Sequence, residues 1–168
     1  MKSETALKHT EESNNDISCG IITLSDSRKS EKLDLSGKYI ENVVKSKYDL
    51  KRKDLIPDEK DILIDSIEHM ISKNIDVIIT TGGTGLDARD ITVETVESLF
   101  EKKIDGFGEI FRLKSYEEIG SSALLSRATA GIYKKTIIFS MPGSPNAVKT
   151  GLDLIIEELP HFVHHAKK

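Results

Sequence analysis

Residues 75–92 read IDVIITTGGTGLDARDIT. Ile75–Thr80 is a short run, apolar from Val77 on and rich in β-branched residues, which predicts a strand buried on both faces. It passes directly into Thr80-Thr81-Gly82-Gly83-Thr84-Gly85, three threonines and three glycines in six residues. Glycine accepts positive φ and lets a ligand approach the backbone. Successive N–H groups can then curl into an anion-binding nest, to which threonine hydroxyls add donors. A helix is expected at about 93–100, with Val93, Val96, Leu99 and Phe100 facing inward. The string is neither a Walker A loop, since no Lys-Ser/Thr follows, nor a Gly-x-Gly-x-x-Gly fingerprint.

The same order of strand, irregular loop and helix recurs on either side. Towards the N-terminus, Ile17–Leu24 reads as a buried strand. Residues 36–47 read as a helix with Ser36 as N-cap and Ile40, Val43, Val44 and Lys47 at helical spacing. Tyr48–Leu55 is charged enough to be an edge strand. Asp58–Lys73 reads as a helix preceded by Pro57, capped by Asp58 and buried through Leu63, Ile67, Met70 and Ile71. Towards the C-terminus, Glu109–Ile119 and Ser121–Arg127 read as helical pieces around an irregular join. Thr129–Tyr133 and Thr136–Met141, separated by Lys134-Lys135, predict a hairpin. Pro145–Leu159 reads as the last helix. Alternating strands and helices predict the α/β class, with a largely parallel sheet covered on both faces and one antiparallel hairpin strand. Ligands of such sheets bind beyond the carboxyl ends of the strands.

The chain has 168 residues, which suits one domain. Residues 1–16 are polar and are expected to form a flexible N-terminal tail ahead of a folded domain spanning 17–168. No apolar run reaches the roughly 20 residues that span a bilayer, and the N-terminus lacks the apolar stretch of a signal peptide. A cytoplasmic protein with no membrane partner is the expectation. A formal net charge of −4 argues against general nucleic-acid binding, while leaving a small anionic ligand open. The single cysteine, Cys19, excludes an internal disulfide and a cysteine-based metal centre, and it reads as a core residue.

Four segments break the core patterning, and each follows a predicted strand: 25–28, 55–58, 80–90 and 140–146. A parallel sheet would gather them on one edge. Asp90 beside a phosphate nest is repulsive unless a cation lies between them, and Mg²⁺ held by one or two carboxylates plus substrate phosphates resolves that conflict. Asp58 is the second candidate carboxylate, or else a plain helix cap. Asp87 and Asp90 could likewise cap the helix at 93–100. Asp26 is a ligand or a turn residue, and Arg28 an anion partner or a solvated cation. Pro142-Gly143-Ser144-Pro145 leads into the last helix, and the N–H groups at 143–146 are a candidate second anion or pterin-edge site, or else part of an ordinary strand-to-helix turn. His161, His164 and His165 read as surface residues at a frayed helix end.

Taken together, Thr80–Gly85 with Arg89-Asp90-Ile91-Thr92, and Ser140-Met141-Pro142-Gly143-Ser144-Pro145, resemble the molybdenum cofactor biosynthesis MoaB/Mog family, itself similar to the gephyrin and plant G domains. Ser25-Asp26, Asp34-x-Ser36-Gly37, Leu55-Ile56-Pro57-Asp58-Glu59, Gly106-Phe107-Gly108-Glu109 and Leu125-Ser126-Arg127 match in the same order. The likeness covers about residues 17–160. It implies a three-layer α/β/α fold, commonly a trimeric homo-oligomer, with higher assemblies in some members. It implies binding of molybdopterin and transfer of AMP from Mg²⁺-ATP to its terminal phosphate, with release of pyrophosphate. The product feeds metal insertion, so a downstream metal-insertion protein is a candidate partner. Carried over by motif, Asp58 and Asp90 are the catalytic and Mg²⁺-binding aspartates. Thr81, Gly82, Gly83, Thr84 and Gly85 match the nucleotide phosphate loop. Ser25, Asp26, Ser36, Ser140, Pro142, Gly143 and Ser144 match molybdopterin-binding segments. Val93 departs from the proline that many members carry there, a change confined to the helix start. Two other readings are a non-catalytic molybdopterin-binding scaffold and a nucleotide-cleaving enzyme of the competence-damage type, whose loop usually continues into a different acidic string.

Overall fold

The computed structural model of the chain describes residues 16–26 and 33–168. Its strands are β1 (Ser18–Leu24), β2 (Asp49–Ile56), β3 (Val77–Thr81), β4 (Lys102–Lys103), β5 (Thr129–Tyr133) and β6 (Thr136–Met141). Its helices are α1 (Leu35–Lys45), α2 (Lys60–Ser72), α3 (Thr92–Leu99), α4 (Asp105–Ile119), α5 (Pro145–Ile155) and α6 (Leu159–Lys167). The expected flexible tail, apart from Asp16, lies outside the described residues, as do Ser27 and Arg28.

The strands form one sheet in the order β2-β1-β3-β6-β5-β4. The first four of that order are parallel, while β5 runs antiparallel to β6 and β4 antiparallel to β5. Charged β2 is an edge strand, as its composition predicts. β4 was not expected, because two exposed lysines carry no strand pattern. The β5–β6 turn holds Lys134 at φ 48° and Lys135 at φ 66°. Both central residues are therefore left-handed, as a two-residue hairpin turn of type I′ requires.

Period-two alternation sorts the core into two halves. Cys19, Ile21, Val77, Ile79, Ile137, Phe139 and Met141 face one side, where Ile40 and Val44 of α1, Phe111 of α4, Leu152 of α5 and Val163 of α6 close over them. Ile22, Leu24, Ile78 and Ile138 face the other, covered by Leu63, Ile67 and Met70 of α2 and Val96 of α3. The result is a three-layer α/β/α domain. Among the described residues no helix is long and apolar enough to cross a membrane.

Three elements differ from the sequence expectation. α4 starts at Asp105 rather than Glu109, because Gly106 and Gly108 dilute the helical signal of its first turn. The piece expected at 121–127 is a 3₁₀ helix, Gly120–Leu125, and the join is Gly120 at φ +62°. The last helix ends at Ile155, and a 3₁₀ turn leads into α6. Pro160 has no N–H with which to continue a helix, but it fits a first turn. α6 thus starts afresh and buries Leu159, Val163 and Ala166, so His161, His164 and His165 lie on an ordered helix and not on a frayed end.

Candidate functional site

Strand register brings the four loops together. Leu24 of β1 pairs with Ile56 of β2, and Thr23 with Thr81 of β3, which in turn pairs with Met141 of β6. Four chain segments therefore leave the sheet at one level and on one edge. They enclose a cleft of about 550 Å³, lined by Ser25, Asp26, Asp58, Gly82, Gly83, Thr84, Gly85, Asp90, Pro142, Gly143 and Ser144. Its opposite wall is apolar, built by Phe111 and Ile119 of α4 together with Ala123 and Leu125.

The glycine-rich loop is set by close approach. Gly82 and Gly83 have φ of +97° and +62°. A Cβ on Gly83 would lie 2.4 Å from Thr92 Oγ1 and 2.6 Å from Asp58 Oδ1, so no side chain fits there. Thr92 ties the loop from behind, its Oγ1 donating to Gly82 O and its N–H to Gly83 O, both at 2.9 Å. Among the described residues the N–H groups of Gly83, Thr84 and Gly85 have no protein acceptor. They are the raw material of an anion nest.

An acidic cluster stands beside them. The Asp58 N–H donates to Asp26 Oδ1 and the Asp26 N–H donates to Asp58 Oδ2, each at 3.0 Å, so the β1 and β2 loops are reciprocally latched. Arg89 donates from Nε at 2.9 Å and Nη2 at 2.7 Å to Asp26 Oδ2. These bonds hold the Asp26 carboxyl below its ordinary pKa. Asp58 is moved the other way: burial pushes its carboxyl up, and the charges of Asp26 and Asp90 add to the effect. Asp58 Oδ1 is buried and has no hydrogen-bond partner. Asp90 Oδ2 accepts the Asp87 N–H at 3.0 Å.

The orphaned Asp58 oxygen fits a Mg²⁺ site. A carboxylate oxygen that burial removes from water, with a second carboxylate in the same cleft, suits a hard cation. Among the described residues no group of three or more His, Cys, Asp or Glu could cage a metal. The donor set therefore matches an ion completed by substrate phosphates rather than one enclosed by protein.

Several expected roles change. Asp58 does not cap α2, which starts at Lys60 with no side-chain cap. Neither Asp87 nor Asp90 caps α3, whose N-cap is Ile91. The Asp34 side chain, not Ser36, caps α1 by accepting the Gly37 N–H at 2.9 Å, and it also accepts Thr23 Oγ1 at 2.7 Å. Ser36, Thr81 and Ser140 are fully buried and do not line the cleft. They act behind it: Ser36 Oγ donates to Gly143 O at 2.7 Å, Thr81 Oγ1 to Pro142 O at 3.1 Å, and Thr80 Oγ1 to Ser140 Oγ at 2.8 Å. Ser144 both lines the cleft and caps α5, accepting the Ala147 N–H at 3.3 Å. The wall formed by Phe111, Ser115 and Ile119 was missed, although their four-residue spacing already placed them on one helix face.

Residues 20–161 match the family described as "Probable molybdopterin binding domain". The molybdopterin adenylyltransferase of Pyrococcus furiosus is 41% identical over 166 residues, covering 96% of this chain and 98% of that protein. The molybdenum cofactor biosynthesis protein B of Bacillus subtilis is 42% identical over 165 residues, covering 96% of each chain. The crystal structure of the tungsten cofactor synthesizing protein MoaB from Pyrococcus furiosus superposes with a TM-score of 0.87 at 41% identity, covering 92% of this chain and 99% of that one.

Proposed function

The chain belongs to the family of probable molybdopterin-binding domains, and on that premise we propose that it is a molybdopterin adenylyltransferase, binding molybdopterin and transferring AMP to it from ATP. One observation carries the reading: four strand-end loops meet in a single cleft that offers unpaired backbone N–H groups on one side and two carboxylates beside them.

The chemistry needs little covalent work from the protein. An oxygen of the molybdopterin terminal phosphate attacks the α-phosphorus of ATP in line. The bond from that phosphorus to the α–β bridging oxygen breaks, and pyrophosphate leaves with the electron pair. The acceptor is already a phosphate, so no covalent enzyme intermediate is required. Positioning and charge neutralisation dominate such transfers. The N–H groups of Gly83, Thr84 and Gly85 would receive phosphate oxygens, and the Pro142–Ser144 turn, with Ser25, would face the pterin. Asp58 and Asp90 would hold Mg²⁺, which supplies charge neutralisation along the triphosphate. The apolar wall of Phe111, Ile119 and Leu125 gives a flat ring system a surface away from the charged edge.

A homo-oligomer, in the form of a trimer, belongs to the same proposal. Apart from the cleft wall, α4 and the following 3₁₀ helix expose Ile110, Leu113, Tyr116 and Leu124. Large apolar side chains exposed in this way on neighbouring elements suit burial against another copy. The reaction draws on ATP, and a cytoplasmic location is part of the proposal. The test is direct: the purified protein, given molybdopterin, ATP and Mg²⁺, should yield adenylylated molybdopterin and pyrophosphate. Molybdopterin bound without product, at any nucleotide concentration, would reduce the protein to a binding scaffold.

A further inference from the structure

Arg127 sits on the far side of the glycine-rich loop from the cleft. It lines a separate pocket of about 360 Å³ together with Glu97, Arg112 and Thr129. From there its Nε donates to Thr84 O at 3.1 Å, and its Nη2 to Gly85 O at 2.6 Å and Asp90 O at 3.4 Å. Its Nη1 pairs with Glu94. Thr92 holds the carbonyls of Gly82 and Gly83 in the same manner. Every carbonyl from Gly82 to Gly85 is thus held from behind by one of two residues.

That arrangement fixes where the amides point. No peptide bond here is cis, and across a trans peptide plane the C=O of one residue opposes the N–H of the next. Holding Thr84 O and Gly85 O therefore turns the N–H groups of Gly85 and Leu86 away from Arg127, towards the side on which the loop lines the cleft. Should either peptide rotate, an acceptor would face the phosphate where a donor had been. We propose that Arg127 is a positioning residue of the phosphate-binding loop, setting the direction of the Gly85 amide at the end of the run that receives the triphosphate, while Thr92 sets those of Gly83 and Thr84. The proposal rests on the nucleotide-binding reading given above.

The residue type follows from the geometry. Guanidinium presents five donors in a rigid fork and can reach three carbonyls and a carboxylate together, which the compact ammonium of lysine cannot do. Glu94 balances the charge of Arg127. Arg127 therefore acts on nucleotide through loop geometry and not by direct attraction.

The experiment compares the full chain with Arg127→Lys and Arg127→Ala, by calorimetry with Mg²⁺-ATP and with molybdopterin separately, and by steady-state turnover. Both variants should weaken Mg²⁺-ATP binding by on the order of tenfold or more, since two hydrogen bonds from a charged donor are lost or misplaced. Molybdopterin affinity should stay within about twofold, and the loss should fall on the KM for ATP while kcat at saturation is largely kept. Guanidinium at low millimolar concentration should restore part of the affinity in Arg127→Ala and none in the parent. Unchanged ATP affinity in Arg127→Lys, or equal weakening of both ligands, overturns the proposal. Arg127→Lys keeps a cation at the position, so it carries the test should Arg127→Ala fail to fold. A parent protein that binds ATP but transfers no AMP refutes the adenylyltransferase reading and leaves this test intact, whereas one with no affinity for ATP overturns both.

Discussion

Replacing Asp58 with asparagine should stabilise the ligand-free protein while abolishing its nucleotide chemistry. Asp58 Oδ1 is buried without a partner, and the carboxyl is pushed above its ordinary pKa by burial and by the charges of Asp26 and Asp90. A raised carboxyl pKa in the folded state means that folding favours the protonated acid. The contribution of Asp58 to stability is therefore fullest below its unfolded pKa and is lost as pH rises through the folded one. At pH 7 the native state carries an ionised group that it would rather hold neutral. Asparagine removes the charge and keeps an oxygen for the Asp26 N–H, which donates to Asp58 Oδ2 at 3.0 Å. The amide NH2 then stands where Oδ1 was and is equally unpartnered, so the relief is of the buried charge alone, and at this half-buried position it amounts to about 1 kcal/mol. For a chain of this size that corresponds to a rise in Tm of about 2–4 °C. Thermal unfolding without nucleotide or Mg²⁺ at pH 7 measures it. The gain should shrink as pH is lowered, because the parent aspartate then protonates and ceases to differ from the amide. Added Mg²⁺-ATP should raise the Tm of the parent by linkage and leave Asp58→Asn unmoved. A variant less stable than the parent at pH 7, or a difference that grows at lower pH, would refute the assignment of Asp58 as a strained carboxylate awaiting a cation.

Three further outcomes follow from the same geometry. Gly83→Ala places a methyl 2.4 Å from Thr92 Oγ1 and 2.6 Å from Asp58 Oδ1 at positive φ, so it should cost about 2 kcal/mol or more. It should also remove measurable ATP binding, and a Tm unchanged from the parent would contradict the contact. Asp90→Asn should lower kcat by on the order of a hundredfold, with molybdopterin affinity within about threefold by calorimetry; equal loss of both would make Asp90 a structural residue. The Cys19 thiol is fully buried, and burial, with the Asp76 and Asp49 charges, pushes its pKa up to about 12. At pH 8 alkylation should then require opening of the fold, so that its rate tracks added denaturant; rapid labelling of the native protein would contradict that burial.

The fold was legible because a strand buried on both faces is written as an unbroken apolar run, and β1, β3 and β6 are all of that kind. The cleft was legible because glycine clusters and Asp-bearing turns stand out just after those runs. Finer placement was not. Asp34 and Ser36 are both good N-caps, and a shift of two residues in helix start decides between them. Whether Thr81 and Ser140 face ligand or protein depends on how far each strand runs before its loop begins, and both are still inside the sheet, fully buried and bonded to protein. Pro160 was visible, but a proline can end a helix or open one. Arg127 bonds mainly to main-chain carbonyls, which every residue possesses, so no pattern of side chains marks its partners.

The cleft is tied together by polar bonds between loops that belong to different strands. Asp26 joins Asp58, Arg89 joins Asp26, Ser36 joins Gly143 and Thr81 joins Pro142, while Thr92 closes the glycine-rich loop on itself at Gly82. Each such bond contributes only about 1 kcal/mol net, far less than the apolar layers beneath. Their effect is geometric: each leaves its loop a single arrangement in which the N–H groups of Gly83–Gly85 stay unpaired and the Asp58 oxygen stays dry. A rim built for stability would have satisfied those groups internally. Donors and a carboxylate held apart in this way gain their partners only when a polyanion and its cation arrive together. Neither ligand alone can satisfy both sides, so ATP and Mg²⁺ should bind more tightly as a pair than their separate affinities predict.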